Sequence, residues 1–463
     1  MRLYAHQKTA LERAKQGDLC LFHAPGTGKT CTAIQIIKHW GGKALVLCPL
    51  SIVDAAWIQD CKKFASELDV VSLWSKKPLE RRQRLAEDHD VYVANFDTFK
   101  NMFELIQAKQ FDTLIIDESS AIKAHDTQLT RAVLALSGIP TRARKGKGFQ
   151  VGHVIPHRYC LSGTPAPNNN WEYWPQIKTV TGFNNDVFHS NFYSFRATYF
   201  HGVPLGTTGQ KLWKERKGLR DEFMQAMAPV AHVVQKEDAV DLPKQTHVIR
   251  DVMLDQGERK AYDTLKNDLV IRFQDETILA TSALVEIMRL RQLTSGFLYG
   301  EDHTHQTGKG SKLKELQTLL EEIGPKQVII WANFKHEIRT LLEALPNSAA
   351  LWSETGDRDE VIKGFQDGTI KYLIANPQSA AHGLTFVNCS YAVYFSLNYS
   401  YELQQQSQDR IHRIGQTLPT TYYYLIAKDT IDELIYKTLR AKGELSDEVL
   451  TFLKDAKGLR RAS

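Results

Sequence analysis

The chain has 463 residues, which at roughly 150 residues per domain suits three units or two larger α/β lobes. Apolar residues make up 43% and charged residues 24%, a folded globular balance that argues against extensive disorder. The 58 Lys and Arg against 53 Asp and Glu leave a formal charge of +5, which permits an acidic partner without demanding one. No apolar run approaches the roughly 20 residues of a membrane helix. The start, Met1-Arg2-Leu3-Tyr4-Ala5-His6, has no apolar signal core. No membrane partner is therefore expected.

The first half alternates apolar runs with helix-like stretches. Strands are predicted at Leu19–His23, Ala44–Cys48, Asp90–Ala94, Thr113–Asp117 and Arg158–Ser162. Helices are predicted at Thr30–Trp40, Val53–Ala65 and Pro78–Glu87. Such alternation implies a parallel sheet covered on both faces. Residues 141–158 interrupt it with a basic run that contains no acid. From about Trp171 to Val234 the chain is aromatic and reads as mostly helical, with a second basic cluster at Lys211, Lys214, Arg216, Lys217 and Arg220. Trp171, Trp174 and Phe192 read as the core of this insert. Helices fit 255–295, and the polar stretch Gly300–Gly310 reads as a flexible connection. Strands then return at Gln327–Trp331, Lys371–Ala375, Tyr391–Ser396 and Thr421–Ile426. The helices between and after them are predicted at Lys312–Glu322, His336–Leu345, Asp359–Gln366, Tyr401–Arg413 and Thr430–Arg440.

Six cysteines, at 20, 31, 48, 61, 160 and 389, form no Cys-x-x-Cys pair, which excludes a zinc ribbon. They read as small buried hydrophobes of a reducing compartment. His153 and His157 are four apart but stand in a basic loop, so they read as ordinary loop residues.

The strand Leu19–His23 runs into Ala24-Pro25-Gly26-Thr27-Gly28-Lys29-Thr30 and a helix. Two glycines let successive backbone N–H groups turn toward phosphate oxygens, and the helix adds its N-terminal dipole. Gly26, Thr27 and Gly28 would cradle a triphosphate. Lys29 reaches its outer phosphates, and Thr30 offers a hydroxyl to Mg²⁺. His23 stands where the strict phosphate-loop pattern has its first glycine. Downstream, the apolar strand Thr113–Asp117 ends in Asp117-Glu118-Ser119-Ser120. Ligands of parallel sheets gather at carboxyl strand ends, which places Asp117 beside the loop. Asp117 would hold Mg²⁺ through water, and Glu118 would deprotonate the attacking water. These features together predict a nucleoside triphosphate hydrolase using Mg²⁺, a description that many P-loop enzymes using ATP fit. Farther on, Asp409-Arg410-Ile411-His412-Arg413 places two arginines three apart, read here as one helical face supplying cations to a transferring phosphoryl group.

From residue 3 to about 440 the sequence resembles the Swi/Snf-type branch of the superfamily-two helicase-like ATPases. Leu3-Tyr4-Ala5-His6-Gln7 resembles the adenine-reading segment, with Gln7 at the glutamine position. Gly26–Thr30 is similar to motif I, Leu45–Ser51 to Ia, Val91–Thr98 to Ib, and Asp117–Ser120 to II. Leu161–Asn169 is similar to III, Val328–Phe334 to IV, Ala380–Thr385 to V, and Asp409–Gln416 to VI. The runs Asp-Arg-x-His-Arg-Ile-Gly-Gln at 409–416 and Gly-Thr-Pro-x-x-Asn-Asn at 163–169 are the most specific, and Leu290-Arg291-Gln292-Leu293 fits the family's central helical region. The resemblance implies two RecA-like P-loop lobes with parallel sheets and helical insertions. They would span 1–243, with an insertion at about 171–234, and 244–463, with a helical segment at about 255–295. It also implies that Gly383 contributes to the nucleotide site.

Three departures stand out. Motif II ends Ser-Ser where the family carries Ala-His or Gly-His, which bears on coupling to motif III rather than on hydrolysis. Ala380 and Ala381 replace two glycines of motif V. Tyr399-Ser400-Tyr401 stands where Trp-Asn-Pro precedes motif VI. The chain reads as a bare motor without chromatin-reading modules, expected in the cytoplasm of a bacterial or phage-infected cell.

The resemblance implies a DNA-dependent ATPase that translocates on double-stranded DNA and displaces what is bound. Its alternatives are a true helicase acting on forked DNA or an RNA–DNA hybrid, and an ATP-gated binding switch. By resemblance the nucleic-acid face includes Ser51, Asn95, Thr164, Asn333 and Ser379. Arg142, Arg144, Lys145 and Lys147 are charge-run candidates for phosphate contact. The sequence names no protein partner.

Overall fold

The computed structural model describes residues 3–141, 148–167, 169–183, 188–189, 191–204, 211–216, 218–235, 239, 242–274, 280–300, 304–306, 308, 310–380 and 384–441. The chain divides into two compact units, Met1–Asp241 and Leu242–Ser463.

The first unit opens with helix α1 (Ala5–Ala14), strand β1 (Leu19–His23), helix α2 (Lys29–Trp40) and strand β2 (Ala44–Cys48). Then come β3 (Val70–Ser72), β4 (Val91–Asn95), β5 (Thr113–Asp117) and β6 (His157–Leu161). Helix α3 (Tyr173–Thr181) follows, then an antiparallel hairpin of β7 (Phe200–Pro204) and β8 (Lys211–Glu215), and finally β9 (Ala231–Val234). Seven of these strands form one sheet in the order β3-β4-β2-β5-β6-β1-β9, with every pair parallel. Strands β1, β2, β4 and β5 are buried along their whole length, because helices cover both sheet faces. The stretch expected to be mostly helical, 171–234, therefore also holds a hairpin and an edge strand of the main sheet. Its aromatic core is built from Trp174, Phe188, Phe192, Phe195, Tyr199 and Phe223, with Trp171 packed against it.

The second unit begins with β10 (Gln245–Val252) and a helix at Gln256–Gln274, then helix α4 (Ala280–Thr294). A short hairpin, β11 (Phe297–Tyr299) with β12 (Thr304–Gln306), occupies part of the stretch expected as a polar loop. Helix α5 (Ser311–Ile323), β13 (Val328–Trp331), β14 (Ser348–Leu351), β15 (Tyr372–Ala375) and β16 (Tyr391–Tyr394) follow. Helix α6 (Tyr401–Gln408), β17 (Thr420–Ala427) and helix α7 (Ile431–Ala441) complete it. Six strands form a second parallel sheet, β10-β17-β16-β13-β15-β14. Each unit is thus a doubly covered parallel α/β layer, the fold class expected.

All six cysteines are buried thiols that form no disulfide. Among the described residues no helix is long and apolar enough to cross a membrane, and no His, Cys, Asp and Glu cluster is arranged to hold a metal. His153 bonds the Phe111 carbonyl at 2.9 Å, and His157 stacks on Trp40 with ring centroids 3.6 Å apart.

Candidate nucleotide site and its surroundings

In the first sheet β6 lies between β1 and β5, so the loops leaving all three share one edge. The Gly26–Thr30 loop leaves β1, the Asp117–Glu118 turn ends β5, and the Ser162–Pro165 loop leaves β6. Gly26 and Gly28 both take the left-handed conformation, at φ 79° and 80°, which turns their peptides inward as a phosphate cradle needs. Thr27 is fully buried and its hydroxyl donates to the Ala24 carbonyl at 2.8 Å, fixing the turn. Lys29 opens α2, and its ammonium folds back over the loop onto the His23 carbonyl at 2.9 Å. Thr30 is half-buried on the first turn of that helix.

Gln7, on α1, buttresses this loop. Its Oε1 accepts the Tyr4 N–H at 2.9 Å, and its Nε2 donates to the Gly28 carbonyl at 3.1 Å. A Cβ at Gly28 would lie 2.4 Å from that same nitrogen. Gly28→Ala therefore meets a clash as well as an alanine in left-handed backbone, which costs roughly 1–2 kcal/mol. The variant is expected to bind ATP about tenfold more weakly in equilibrium titration; unchanged binding would show that the turn tolerates a side chain.

His23 fills the place of the loop's usual first glycine because its ring is directed into the protein. It is fully buried, with Nε2 2.8 Å from Nδ1 of His232. Burial, then the His232 ring, holds its pKa down to about 2, so it stays neutral beside Lys29.

Asp117 is buried and doubly anchored. Trp57 Nε1 donates to its Oδ2 at 2.9 Å, and the Glu118 backbone N–H donates to its Oδ1 at 3.0 Å. Burial, then the charge of Glu118, pushes its pKa up to about 6 against the pull of Lys29 and of the Trp57 N–H. A divalent cation fits this donor set. Two of the carboxylate's roughly four lone-pair positions are taken, and the remaining anionic capacity lacks full compensation. Glu118 adopts φ 56°, ψ 55°, left-handed backbone that a non-glycine residue holds only where its surroundings over-determine it. Trp57 lies in a π-helical stretch, Val53–Ile58, inside the region expected to be one regular helix. A π-turn re-aims side chains, and here the tryptophan reaches the acid strand. Nothing in the local spacing marked Trp57.

The remaining first-unit candidates share the same sheet edge. Ser51 is exposed three residues after β2, and Thr164 is half-buried three residues after β6. Asn95 ends β4; its Oδ1 is buried and meets no hydrogen-bond donor among the described residues. Arg142, Arg144, Lys145 and Lys147 lie outside the described residues, as does Lys217. Lys211 and Lys214 sit on β8, and Arg216 donates to the carbonyls of Phe200 and Ala197.

In the second unit Arg410 and Arg413 do not share a helical face. Helix α6 stops at Gln408, and both arginines lie in the turns beyond it. Two of the last carbonyls are claimed by side chains: Gln406 accepts Arg410 Nε at 2.8 Å, and Gln408 accepts the Tyr422 hydroxyl at 2.8 Å. The two guanidinium groups still meet, because both donate to the Leu384 carbonyl, at 2.9 and 3.2 Å. That carbonyl follows Gly383, which lies outside the described residues. Asn333 follows β13, and its side chain is engaged within the protein: Nδ2 donates to the Ser396 carbonyl at 2.8 Å, and Oδ1 accepts Asn398 Nδ2 at 3.1 Å. Ser379 is half-buried beyond β15, and its carbonyl accepts Arg358 at 2.8 Å.

The chain matches the SNF2-related domain over residues 7–144 and 148–296, and the helicase conserved C-terminal domain over 311–415. Protein p41 of Acyrthosiphon pisum secondary endosymbiont phage 1 is 25% identical over 445 residues, covering 92% of each chain. The chromodomain-helicase-DNA-binding protein 1-like of Danio rerio is 23% identical over 453 residues, 92% of this chain and 41% of its own length. The chain thus spans nearly all of the phage relative and less than half of the zebrafish one. The Sulfolobus solfataricus SWI2/SNF2 ATPase core in complex with dsDNA is 19% identical, covers 95% of this chain and 91% of its own, and superposes with a TM-score of 0.43. With the SNF2-related match running through most of the chain and the helicase C-terminal match following it, this chain belongs to the SNF2-related family of helicase-like ATPases.

Proposed function

We propose that the protein hydrolyses ATP in response to double-stranded DNA, moves along the duplex and displaces what is bound to it. The observation that carries this reading is the shared edge of β1, β6 and β5, where the Gly26–Thr30 loop and the Asp117–Glu118 turn stand together. Gly26, Thr27 and Gly28 cradle the triphosphate, and Lys29 exchanges its backbone carbonyl partner for phosphate oxygens. Thr30 and Asp117 are the residues that would hold Mg²⁺, which when bound neutralises charge on those oxygens. Glu118 accepts a proton from the attacking water as that oxygen bonds the γ-phosphorus and ADP leaves. Gln7 orders the loop, and Arg410, Arg413 and Gly383 are proposed as the residues of the second unit on which turnover depends.

Small polar residues at strand ends suit phosphate contact, because a translocating protein must hold any sequence. Ser51, Asn95, Thr164 and Ser379 are proposed in that role, and Asn333 on exchanging its Ser396 and Asn398 partners, joined by Arg142, Arg144, Lys145 and Lys147. The zebrafish relative's name, a helicase-DNA-binding protein of which the chain spans 41%, supports DNA over other polyanions.

The test is ATP turnover with duplex, forked and single-stranded DNA and with RNA, for wild type and Lys29→Ala. Duplex is expected to stimulate most, and Lys29→Ala to abolish the stimulated rate. Stimulated turnover that survives both Lys29→Ala and Glu118→Gln would remove the motor reading. Triplex displacement without unwinding of forked DNA or an RNA–DNA hybrid is the expected companion result.

A further inference from the structure

The departure at the end of motif II has a structural counterpart. Ser119 is fully buried, and its hydroxyl donates to Gln176 Oε1 at 2.6 Å. Gln176, on α3, is also fully buried. Its Nε2 donates to the Pro165 carbonyl at 2.6 Å and to the Glu172 carbonyl of its own helix entry at 3.0 Å. Both ends of one amide are thus committed, the oxygen to the acid turn and the nitrogen to the loop after β6. That loop presses on the phosphate loop: a Cβ at Gly163 would lie 2.5 Å from both Cδ and Cγ of Pro25. The backbone of Gln176 is seated as firmly, with the thiols of Cys20 and Cys160 against its carbonyl at 3.8 and 3.6 Å.

We infer that Ser119 and Gln176 form a positioning pair that ties the Gly163–Pro165 loop to the turn carrying Glu118. The inference rests on the proposed function, in which Thr164 meets DNA and Glu118 serves hydrolysis. Neither residue of the pair is a catalytic residue. Between fully buried side chains, two short hydrogen bonds on one planar amide are stiff. A shift of Pro165 must rotate that amide, and rotation withdraws Oε1 from Ser119. Ser119 directly follows Glu118, whose left-handed backbone needs such external support. Loop position and carboxylate position therefore change together, and occupancy at Thr164 sets the rate at Glu118.

The test uses the full chain and the variants Ser119→Ala, Gln176→Met, Gln176→Glu and the double Ser119→Ala/Gln176→Met. Gln176→Glu keeps an acceptor for Ser119 but loses the donor to Pro165. The kcat and KM for ATP are measured with and without duplex DNA, beside the thermal midpoint. Misplacement of a reacting group lowers rate steeply, so the duplex-stimulated kcat is expected to fall roughly 10-fold or more in each variant. The KM for ATP is expected to stay within about threefold, and the double variant to be no worse than the worse single, since both cut one connection. Retained stimulation in a folded Gln176→Met, or single losses that multiply in the double, would overturn the pair. Should Gln176→Met fail to fold, Ser119→Ala removes only one oxygen and decides the matter by the same readings. A wild type indifferent to duplex would instead remove the proposed function, and the pair would then be judged by basal kcat at constant KM.

Discussion

Replacing Glu118 by glutamine is expected to lower ATP turnover by roughly 10³-fold while leaving nucleotide binding nearly unchanged. The substitution keeps size and hydrogen-bonding reach but removes the basic oxygen. It leaves the phosphate loop, Lys29 and both anchors of Asp117 untouched, because Trp57 and the residue-118 backbone N–H supply those anchors. It also removes the second-largest influence raising the Asp117 pKa, so that value should move down from about 6. Phosphate-release kinetics and equilibrium nucleotide titration check both halves of the expectation. Turnover within about tenfold of wild type would show that another group takes the proton.

The largest expected effect on stability lies within the second unit. Lys312 and Asp432 form an ion pair at 2.6 Å with side chains only 1% and 4% exposed, although the ammonium lies off the hydrogen-bond line. Asp432 also accepts the Thr294 hydroxyl at 3.1 Å and the Ala427 N–H at 3.2 Å. One carboxylate thus joins α4, α5, α7 and the end of β17. Asp432→Ala strands a buried ammonium and is expected to cost the second unit about 3–5 kcal/mol. Replacing both partners by apolar residues, Lys312→Met with Asp432→Leu, should recover much of the loss, because no charge then remains to desolvate. Urea unfolding combined with hydrogen exchange along β17 checks this, since two units need not unfold together. A loss below about 1 kcal/mol in Asp432→Ala would mean that water reaches Lys312.

The central strands were legible because burial on both faces writes an unbroken apolar run. Leu19–His23, Ala44–Cys48 and Thr113–Asp117 occur where periodicity placed them. The strands not foreseen within the two sheets, β3, β9, β10 and β14, are the four sheet edges. An edge strand pairs on one side only and keeps polar residues where water reaches it. Gln245–Val252 shows this directly: only Val252 is fully buried and the other seven residues are half-buried or exposed, although all eight pair with β17. Within the candidate site, the phosphate loop and the acid pair were legible because their chemistry depends on local spacing. Trp57 and Gln176 were not. They meet Asp117 and Ser119 across 60 and 57 residues, and only the sheet order brings them together. The end of α6 was not legible either, since one of the partners of the Gln408 carbonyl, the Tyr422 hydroxyl, comes from a strand beyond the next turn.

The placement of β6 between β1 and β5 has a consequence for how such a site can vary. Neighbouring strands lie about 4.8 Å apart, so interposing one sets β1 and β5 roughly 10 Å from each other. That gauge is held by backbone ladders, with Leu21 against Leu161 and Asp117 against Leu161 in register. No side-chain substitution at the loop ends alters it. Substitutions at Ser119, at Thr164 or in the histidine place of the phosphate loop act on coupling and contacts, and the opening offered to a triphosphate keeps its width.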